Sequence, residues 1–265
     1  MKRFDPERVH PTAIISPEAR LADDVRVGAY SIIGDRVEIG AGTVIGPQCR
    51  IEGPTVIGQG NQIYGQASVG TDPQDLKFAG EDTFLFIGDR NKIREFVTIN
   101  RGTVGGGART TLGSDNLLMT QVHIAHDCHV GDRVILANAA TLAGHVEVAS
   151  DSTVGAFCGV HQFCRVGVHA FIGGYSVVTR DVVPFLKTVG IRNDAKTYGV
   201  NSIGLERKGF SKEEVEALNK AYRTIFRKGL RLTEAISQVR EGGVTTDGVR
   251  VLIEFLESSE RGFIR

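Results

Sequence analysis

The sequence predicts a parallel β-helix made of six-residue repeats, followed by a small helical region. Between residues 112 and 178 an aliphatic residue recurs at every sixth position, and a mostly small residue follows four positions after each one. After Pro184 this pattern stops, and apolar residues recur at helical spacing. A helix period of 3.6 or a strand alternation of two does not give one dominant aliphatic position in six, whereas three hexads close one triangular coil.

The aliphatic repeat covers most of the chain and is interrupted twice. It starts at Val9, runs to Val69 and resumes at Ile87. The first interruption, near residues 70–86, carries Pro, Gly and mixed charge, and a loop protruding from a rigid prism is a natural place for binding residues. The second, residues 100–111, is Gly-rich without a following helix, so we expect a loop rather than a phosphate cradle. The unbroken aliphatic positions are Leu112, Leu118, Ile124, Val130, Leu136, Leu142, Val148, Val154, Val160, Val166, Ile172 and Val178.

Glycine and cysteine both have preferred places in the repeat. Many of the 33 Gly residues directly follow the aliphatic, where we expect a tight corner to need positive φ. All four Cys residues occupy the small inward position, which favours buried apolar side chains over a metal or disulfide framework. Examples of such glycines are Gly28, Gly34, Gly40 and Gly46, and the four cysteines are Cys49, Cys128, Cys158 and Cys164.

The tail after Pro184 predicts three short helices. Ser211 with Glu214 matches a capping box, and two further helices are expected at about Thr233 to Arg240 and Thr246 to Ser258. We therefore divide the chain into a β-helix over 1–187 and a helical domain over 188–265. The tail is expected to cover the end of the prism or to pack on a neighbouring subunit, and a three-sided prism suits a three-fold homo-oligomer. The predicted apolar helix positions are Val215, Leu218, Tyr222, Ile225, Phe226, Ile236, Val239, Val251, Leu252, Phe255 and Leu256.

Charge and hydropathy exclude several classes of protein. Lys plus Arg equals Asp plus Glu at 31 each, so the whole molecule has no electrostatic signature of nucleic-acid or anionic-membrane binding. No apolar run is long enough for a transmembrane helix, and the N-terminal residues lack the apolar core of a signal peptide. We expect a cytoplasmic protein.

A vertical column of residues carries the predicted chemistry. Residues 18 apart stack about 4.8 Å apart along the prism, which aligns His126, Gly144 and Gln162. A neutral imidazole can remove a hydroxyl proton while a nearby backbone N–H holds an oxyanion, so the column favours acyl transfer. Asp127 is a possible orienting residue for the imidazole, although neighbours on a strand point to opposite faces.

Zinc is the competing interpretation of the His-rich stretch. His123, His126 and His129 are three residues apart, which places them at three different points of one coil. The closed ligand set expected of a zinc site is not evident, so we expect no metal and no cofactor. Convergence of His ligands between adjacent chains is the remaining route to a metal site.

Several motifs resemble the UDP-N-acetylglucosamine 3-O-acyltransferase family over essentially the whole chain. They are PQDLKFAG at 73–80, HIAHDCHVG at 123–131, TLAGHV at 141–146, VHQFC at 160–164, FIGG at 171–174, GVNSIGLERKGF at 199–210 and RGFIR at 261–265. The resemblance implies a left-handed coil, an exception to the usual right-handed crossover, assembled as a homotrimer with sites between subunits. It also implies the first step of lipid A synthesis, in which an acyl carrier protein delivers an (R)-3-hydroxyacyl thioester to the 3-hydroxyl of UDP-N-acetylglucosamine.

The resemblance also implies roles for individual residues. His126 matches the general base and Gly144 the oxyanion donor, while Phe171 and Gly174 match an acyl-length ruler. Lys208 stands where an Arg is frequent, which keeps the charge and loses the bidentate fork. Substrate contacts carry over to Gln74, Asp75, Lys77, His123, His145 and Gln162, and nucleotide contacts to Asn201, Arg207 and Lys208.

Some alternatives stay open at the level of sequence. Asn100, a further expected substrate contact, stands where the family often has His, so a 3-amino sugar is an alternative acceptor. Carrier-protein docking has Arg165, Arg180 and Arg192 as candidates because the partner is acidic. A related UDP-3-O-acylglucosamine N-acyltransferase carries an extra N-terminal uridine-binding domain, for which the eight residues before the first repeat leave no room. A non-catalytic β-helix would explain the hexads but not the column and both loops together.

Overall fold

The protein is described here by a computed structural model, which covers residues 7–243 and 246–265. Part of the N-terminal segment that lacks a signal-peptide pattern, residues 1–6, lies outside the described residues. Among the described residues, no helix combines the length and apolar character needed to cross a membrane.

Short strands dominate the chain up to residue 200. The first group is β1 (Ile14–Ile15), β2 (Arg20–Leu21), β3 (Arg26–Val27), β4 (Ile32–Ile33), β5 (Val37–Ile39), β6 (Val44–Ile45), β7 (Arg50–Ile51), β8 (Thr55–Ile57), β9 (Gln62–Ile63) and β10 (Ser68–Thr71). The second group is β11 (Phe84–Ile87), β12 (Lys92–Ile93), β13 (Thr98–Asn100), β14 (Arg109–Leu112), β15 (Leu117–Leu118), β16 (His123–Ile124), β17 (His129–Val130), β18 (Ile135–Leu136) and β19 (Thr141–Leu142). The third group is β20 (Glu147–Val148), β21 (Thr153–Val154), β22 (Gly159–Val160), β23 (Arg165–Val166), β24 (Phe171–Ile172), β25 (Val177–Val178), β26 (Leu186–Val189) and β27 (Lys196–Val200).

These strands form the three faces of a prism, as the hexads predict. The first face runs β1-β4-β7-β10-β13-β16-β19-β22-β25, and the second runs β2-β5-β8-β11-β14-β17-β20-β23. The third face runs β27-β26-β24-β21-β18-β15-β12-β9-β6-β3. We call the turn from first to second face the first corner, that from second to third face the second corner, and that from third to first face the third corner. Every strand pair is parallel except β26–β27, so the parallel β-helix is confirmed.

The register between coils shows where the loops leave the prism. Ile14 pairs with Ile32, and His123 pairs with Thr141, an offset of one 18-residue coil in each case. Ser68 pairs with Thr98, which leaves 12 extra residues in the first loop because 98 − 68 − 18 = 12. Thr98 pairs with His123, which leaves seven extra residues in the second loop because 123 − 98 − 18 = 7. The loops span residues 72–83 and 101–108, inside the predicted interruptions.

The prism interior follows the predicted two-layer pattern. From Val25 onward the aliphatic residues that recur every six positions are buried, and so are the residues four positions after each of them; in the first coil Ile15 and Leu21 are only partly buried. All four Cys residues are free and buried, and burial raises the pKa of the Cys128 thiol to about 12. Burying each large aliphatic contributes about 1.5–3 kcal/mol, so the repeat stabilises the prism coil by coil. The Cys residues are therefore packing residues, as predicted.

The glycines that follow the aliphatic residues have a different role from the one expected. Gly28, Gly40 and Gly46 do not have positive φ, but a Cβ at any of them would lie 2.7 Å from the backbone of the next coil. Positive φ occurs one or two residues further on, at Gly42 and at many residues other than glycine, such as Tyr30. The expectation of positive φ was therefore wrong at these positions. Glycine is needed because stacked coils approach closely there.

The C-terminal region covers the end of the prism. The hairpin β26–β27 continues the third face, and Tyr222 donates from its hydroxyl to the Thr197 carbonyl, tying helix and hairpin together at 3.1 Å. A second hydrophobic core joins the hairpin to the helices. The helices are α1 (Ser202–Arg207), α2 (Lys212–Arg227), α3 (Leu232–Glu241) and α4 (Asp247–Glu257), with 3₁₀ turns at Val104–Gly106 and Arg192–Asp194.

The three predicted helices are present, and one further helix is added. The capping box of Ser211 and Glu214 begins α2 as predicted. Helix α1 and the hairpin were not predicted, and Val251 is 38% exposed rather than packed in the core. The proposed domain boundary after residue 187 falls inside β26, which pairs with the prism while Leu186 joins the helical core, so that boundary stays a prediction.

We expect Gly40→Ala to lower the free energy of unfolding by about 1–3 kcal/mol, because its Cβ would overlap the Gly58 backbone. The matched change Gly42→Asn is expected to be tolerated, since Asn adopts the left-handed conformation that Gly42 has there and no atom lies within 3.8 Å of the new Cβ. Urea unfolding of both variants measures this. Equal destabilisation of the two would contradict the close-approach explanation.

Candidate active site

His126 and Asp127 form a pair at the first corner, in the turn between β16 and β17. Asp127 has a φ of 60°, and this left-handed turn lets two consecutive side chains meet. The His126 Nδ1 and Asp127 Oδ2 atoms are 2.7 Å apart, and the Asp127 side chain is fully buried. The sequence argument against this pairing assumed a strand, whereas the residues lie at a corner. With Nδ1 engaged, His126 Nε2 is the ring nitrogen left to accept a proton.

The second loop fixes the Asp127 carboxylate. Thr103 donates its backbone N–H to Oδ1 and its hydroxyl to Oδ2, both at 2.7 Å. The Asp127 N–H in turn donates to Thr110 Oγ1 at 2.8 Å. Gly106 packs so closely on the carboxylate that any Cβ there would overlap it. The Gly-rich loop therefore covers the Asp127 carboxylate.

Gly144 lies against the imidazole, one coil beyond His126. A Cβ at Gly144 would lie 2.6 Å from His126 Cε1, so a side chain there would displace the ring. Within the described part of the chain the Gly144 N–H has no hydrogen-bond acceptor. An unpaired amide beside a basic nitrogen is able to hold an oxyanion as it forms.

His145 and Phe163 continue the wall of the first corner. The His145 ring meets the His126 ring edge-on at 5.2 Å and stacks on Phe163 at 4.4 Å. Burial lowers the pKa of His145, while the charges of Asp127 and Asp75 act in the opposite direction. At neutral pH His145 is therefore an uncharged hydrogen-bonding group. Gln162 is exposed on the same corner, one coil beyond Gly144.

His123 lies on the first face next to this corner. Its Nδ1 is 2.7 Å from Thr98 Oγ1. Burial lowers the pKa of His123, and the neighbouring His126 adds to that shift. His123 is therefore also neutral at pH 7.

The first loop supplies the predicted contacts Gln74, Asp75 and Lys77. Gln74 and Lys77 are exposed, and Asp75 accepts a hydrogen bond from the Lys77 N–H at 3.0 Å. The loop leaves β10 on the first face and returns at β11 on the second face, so it begins and ends at the first corner. Asn100 is nearly buried and its amide donates to Thr71 Oγ1 and to the Asp72 carbonyl, so it anchors the loop from below.

A cleft of about 470 Å³ adjoins the first corner on its second-face side. Asp127, His145 and Phe163 line one wall, and Glu147 on the second face lines another. The tail residue Arg261 also lines the cleft. The site is thus a groove at the corner and not an enclosed cavity.

The predicted nucleotide contacts lie elsewhere in the chain. Lys208 is 2.8 Å from Asp151 at the second corner, and Asn201 donates to the His169 carbonyl there. Burial acts to raise the pKa of Asp151, but hydrogen bonds from Arg133 and Lys208 outweigh it and lower the pKa to about 2. This ionised carboxylate holds Lys208 against the prism.

The residues predicted to limit the length of the acyl chain lie apart from both of these groups. Phe171 lies on the third face in β24, and Gly174 lies at the third corner. The structure therefore unites His126, Gly144, His145 and Gln162 at the first corner, with Asp75 nearby. It does not bring the nucleotide contacts or the ruler to that corner within one chain.

A possible metal-ligand group includes the predicted base, His126. The ligand atoms of His126, Asp127 and His145 lie within 4.8 Å of one another. Both Asp127 oxygens already accept hydrogen bonds from Thr103, and one also contacts His126, so a metal would have to break this network. His123 and His129 bond to Thr98 and Thr111 on two different faces, so the three His residues first considered for zinc do not converge in one chain.

Thr103 and Gly106 are site residues that sequence reasoning missed. Both lie in residues 100–111, for which the sequence predicts a Gly-rich loop and no site residue apart from Asn100. The available signal was the offset of 25 residues between Ile99 and Ile124, which places residues 101–108 over the corner that carries Asp127.

Hexapeptide coils with a carboxylate-held imidazole beside an unpaired amide define a hexapeptide-repeat acyltransferase. A family model described as "Bacterial transferase hexapeptide (six repeats)" matches residues 18–53, and one described as "Udp N-acetylglucosamine O-acyltransferase; Domain 2" matches residues 181–264. The chain belongs to the UDP-N-acetylglucosamine O-acyltransferase family. Its fold class is the expected left-handed parallel β-helix with a helical C-terminal region.

Relatives support this membership over nearly the whole chain. The acyl-(acyl-carrier-protein)–UDP-N-acetylglucosamine O-acyltransferase of Stenotrophomonas maltophilia is 53% identical over 258 residues, covering 97% of this chain and 98% of the relative. The crystal structure of LpxA from Acinetobacter baumannii has a TM-score of 0.92 and 45% identity, covering 97% of this chain and 99% of that one. UDP-N-acetylglucosamine acyltransferase from Campylobacter jejuni has a TM-score of 0.90 and 38% identity, with 97% and 99% coverage.

The lowered pKa values of His123 and His145 predict acid sensitivity. Below about pH 6.5 the unfolded chain binds protons at these residues before the folded chain does, so the free energy of unfolding decreases as the pH falls. Above that pH both states are neutral and the contribution is absent. Urea unfolding at several pH values measures this. His123→Asn is expected to show a smaller loss than the wild type, and the exposed control His10→Asn the same loss as the wild type.

Thr103→Val removes one of the hydrogen bonds that fix Asp127. A hydrogen bond to a charged group contributes about 1.5–3 kcal/mol, so we expect kcat/KM to fall about tenfold or more. Thr103→Ser keeps the hydroxyl and is expected to retain activity close to the wild type. If the Ser variant lost as much as the Val variant, the hydrogen bond from Thr103 would not be the reason for the loss.

Proposed function

We propose that this protein transfers an (R)-3-hydroxyacyl group from an acyl carrier protein to the 3-hydroxyl of UDP-N-acetylglucosamine, the first step of lipid A synthesis. The observation that carries the mechanism is the His126–Asp127 pair lying against the unpaired Gly144 amide. The relatives are named for this acyl donor and this acceptor, and the chain spans nearly their full length. A cytoplasmic location stays a prediction.

His126 acts as the general base in this proposal. Its Nε2 removes the proton of the sugar 3-hydroxyl as the oxygen attacks the thioester carbonyl, and Asp127 stabilises the imidazolium that forms. The tetrahedral intermediate then collapses, the carbon–sulfur bond breaks, and the imidazolium returns the proton to the leaving thiolate. His126 is regenerated and the products are an ester and the free carrier thiol.

The Gly144 N–H stabilises the negative charge that develops on the carbonyl oxygen. The amide is held by the coil and needs no rearrangement during the reaction, so its contribution is pre-organised. The neutral rings of His123 and His145 line the site without adding a charge that would compete for the proton. In this proposal the sugar is bound by Gln74, Asp75 and Lys77 of the first loop and by Gln162 of the first corner.

A homotrimer explains why one chain separates its predicted contacts. The base lies at the first corner, whereas Lys208 and Gly174 lie at the second and third corners, at the two edges of the third face. If the third face of a neighbour packs toward the first corner, both groups reach one site. Phe171 and Gly174 then limit the acyl chain, and Arg207 with Lys208 bind the nucleotide phosphates.

A 3-amino sugar nucleotide remains the second candidate acceptor. The Asn100 amide group donates both to Thr71 and to Asp72, and its buried Oδ1 has no partner among the described residues. Asn100 therefore acts on the acceptor through the first loop that it anchors. This arrangement supports testing both acceptors.

We expect His126→Ala to fold normally and to lose transfer by about 10²–10⁴-fold, since a general base contributes that much. Transfer is measured from a panel of 3-hydroxyacyl carrier proteins to UDP-N-acetylglucosamine and to its 3-amino analogue. Unfolding in urea checks the fold, and the exposed change His10→Asn is the control. Full activity of His126→Ala would overturn the base assignment, transfer to the amine alone would select the second acceptor, and loss of wild-type activity with a chelator would favour zinc.

A further inference from the structure

A basic cleft of about 500 Å³ lies at the C-terminal end of the first corner. Its walls come from the end of the first face, the 3₁₀ turn at Arg192–Asp194 and the tail at residues 262–265. Leu232 and Phe263 add apolar surface beside the charges. The cationic residues that line it are Arg180, Arg192, Lys196 and Arg265.

The four cations of this basic cleft are not neutralised by the protein. None of them forms an ion pair within residues 7–243 and 246–265, and no Asp or Glu of that part lines the cleft. Asp194 is close in sequence but is not part of the lining. Several other arginines of the prism do form ion pairs, such as Arg90 with Asp115 and Arg133 with Asp151. Convergent positive charge without internal partners, in a molecule of zero net charge, indicates an anionic partner.

The basic cleft continues the catalytic column. Strand β25 pairs with β22 in regular register, Val178 opposite Val160, so Arg180 follows Gln162 by one coil. Arg180 is therefore three coils from His126 along the same corner, about 14 Å at one strand spacing per coil. A donor that occupied the cleft could extend a thioester arm along the corner to the base.

One of the three arginines first considered for carrier docking is already engaged. Arg165 Nε is 3.1 Å from Asp181 Oδ2, and its guanidinium lies over the Phe255 ring. Arg180 and Arg192 are exposed and meet in the basic cleft. The function proposed above assigns the nucleotide phosphates to Arg207 and Lys208, and neither of these residues lines the basic cleft. The basic cleft is thus left for the other anionic substrate.

We propose that the basic cleft is the docking surface for the acidic acyl carrier protein, a proposal that rests on the function proposed above. Arg180 and Arg192 attract the acidic surface of the carrier, and Leu232 with Phe263 provides apolar contact. Charge complementarity of this kind acts mainly on encounter and orientation, so it belongs to carrier recognition and not to the chemical step.

Charge reversal tests the proposal. The variant Arg180→Glu/Arg192→Glu is compared with Lys212→Glu/Arg223→Glu, which changes the net charge equally on exposed α2 residues outside the basic cleft. We expect the first variant to raise KM for the acyl carrier protein about tenfold, with kcat and the KM for the sugar nucleotide unchanged. The control is expected to match the wild type. The wild-type KM for the carrier should also rise with salt, and the cleft variant should show a flatter dependence.

A minimal donor, the same acyl group on pantetheine without the protein, separates docking from folding. The cleft variant should use it as well as the wild type does. Equal losses with both donors, or an unchanged KM for the carrier, would overturn the proposal. Arg180→Gln/Arg192→Gln, with a smaller change in charge, should give an intermediate KM.

Direct binding distinguishes this proposal from the proposed function. Fluorescence anisotropy of labelled acyl carrier protein reports docking even if no acyl transfer occurs. If the carrier bound through the basic cleft but no acyl group were transferred, the proposed function would be wrong and the proposed docking surface would stand. Tighter cleft-dependent binding of a DNA oligonucleotide than of the carrier would show a general polyanion surface and would overturn the proposal.

Discussion

The hydrogen-bonded stacking of coils at a fixed register is the constraint on which the rest of the structure depends. Each coil takes 18 residues, so the residue that stacks on any given position is the one 18 positions further along the chain. The close approach of backbones explains the glycines, such as Gly40, that follow the aliphatic residues. The same register sets His126 against Gly144, so the geometry of the proposed chemistry follows from the geometry of the fold.

The candidate active site lies at a corner, where consecutive side chains do not have to point to opposite faces as they do in a strand. In a strand His126 and Asp127 would point apart, but the left-handed turn lets them bond. The corner also leaves the Gly144 amide without an acceptor among the described residues, which a sheet position would not do. Both loops leave the prism at the first corner, and the second of them covers Asp127.

Much of the fold and of the candidate site could be predicted from the sequence, because the six-residue repeat has one physical cause, the stacking of triangular coils with an aliphatic interior. The hexads located the prism, its core, its two loops and the His126–Gly144–Gln162 column. The sequence argument failed over the backbone conformation at the corners, at the reason for Gly28 and Gly40 and at the Asp127 turn. Thr103 could not be identified, because its contact with Asp127 depends on how a Gly-rich loop folds back. The hairpin β26–β27 was missed because it follows neither period.

The loop insertions have a consequence for how this fold can change its length. Twelve and seven extra residues leave at corners, and the strands after them resume the same register. Insertions at corners therefore leave the axial length of the prism unchanged, whereas each added coil lengthens it by about 4.8 Å. Axial distances measured from His126 therefore change in steps of one coil. If Gly174 limits the acyl chain as proposed, adjustments smaller than one coil depend on single side chains such as the one at position 174, and the same prism can then accept acyl chains of different length.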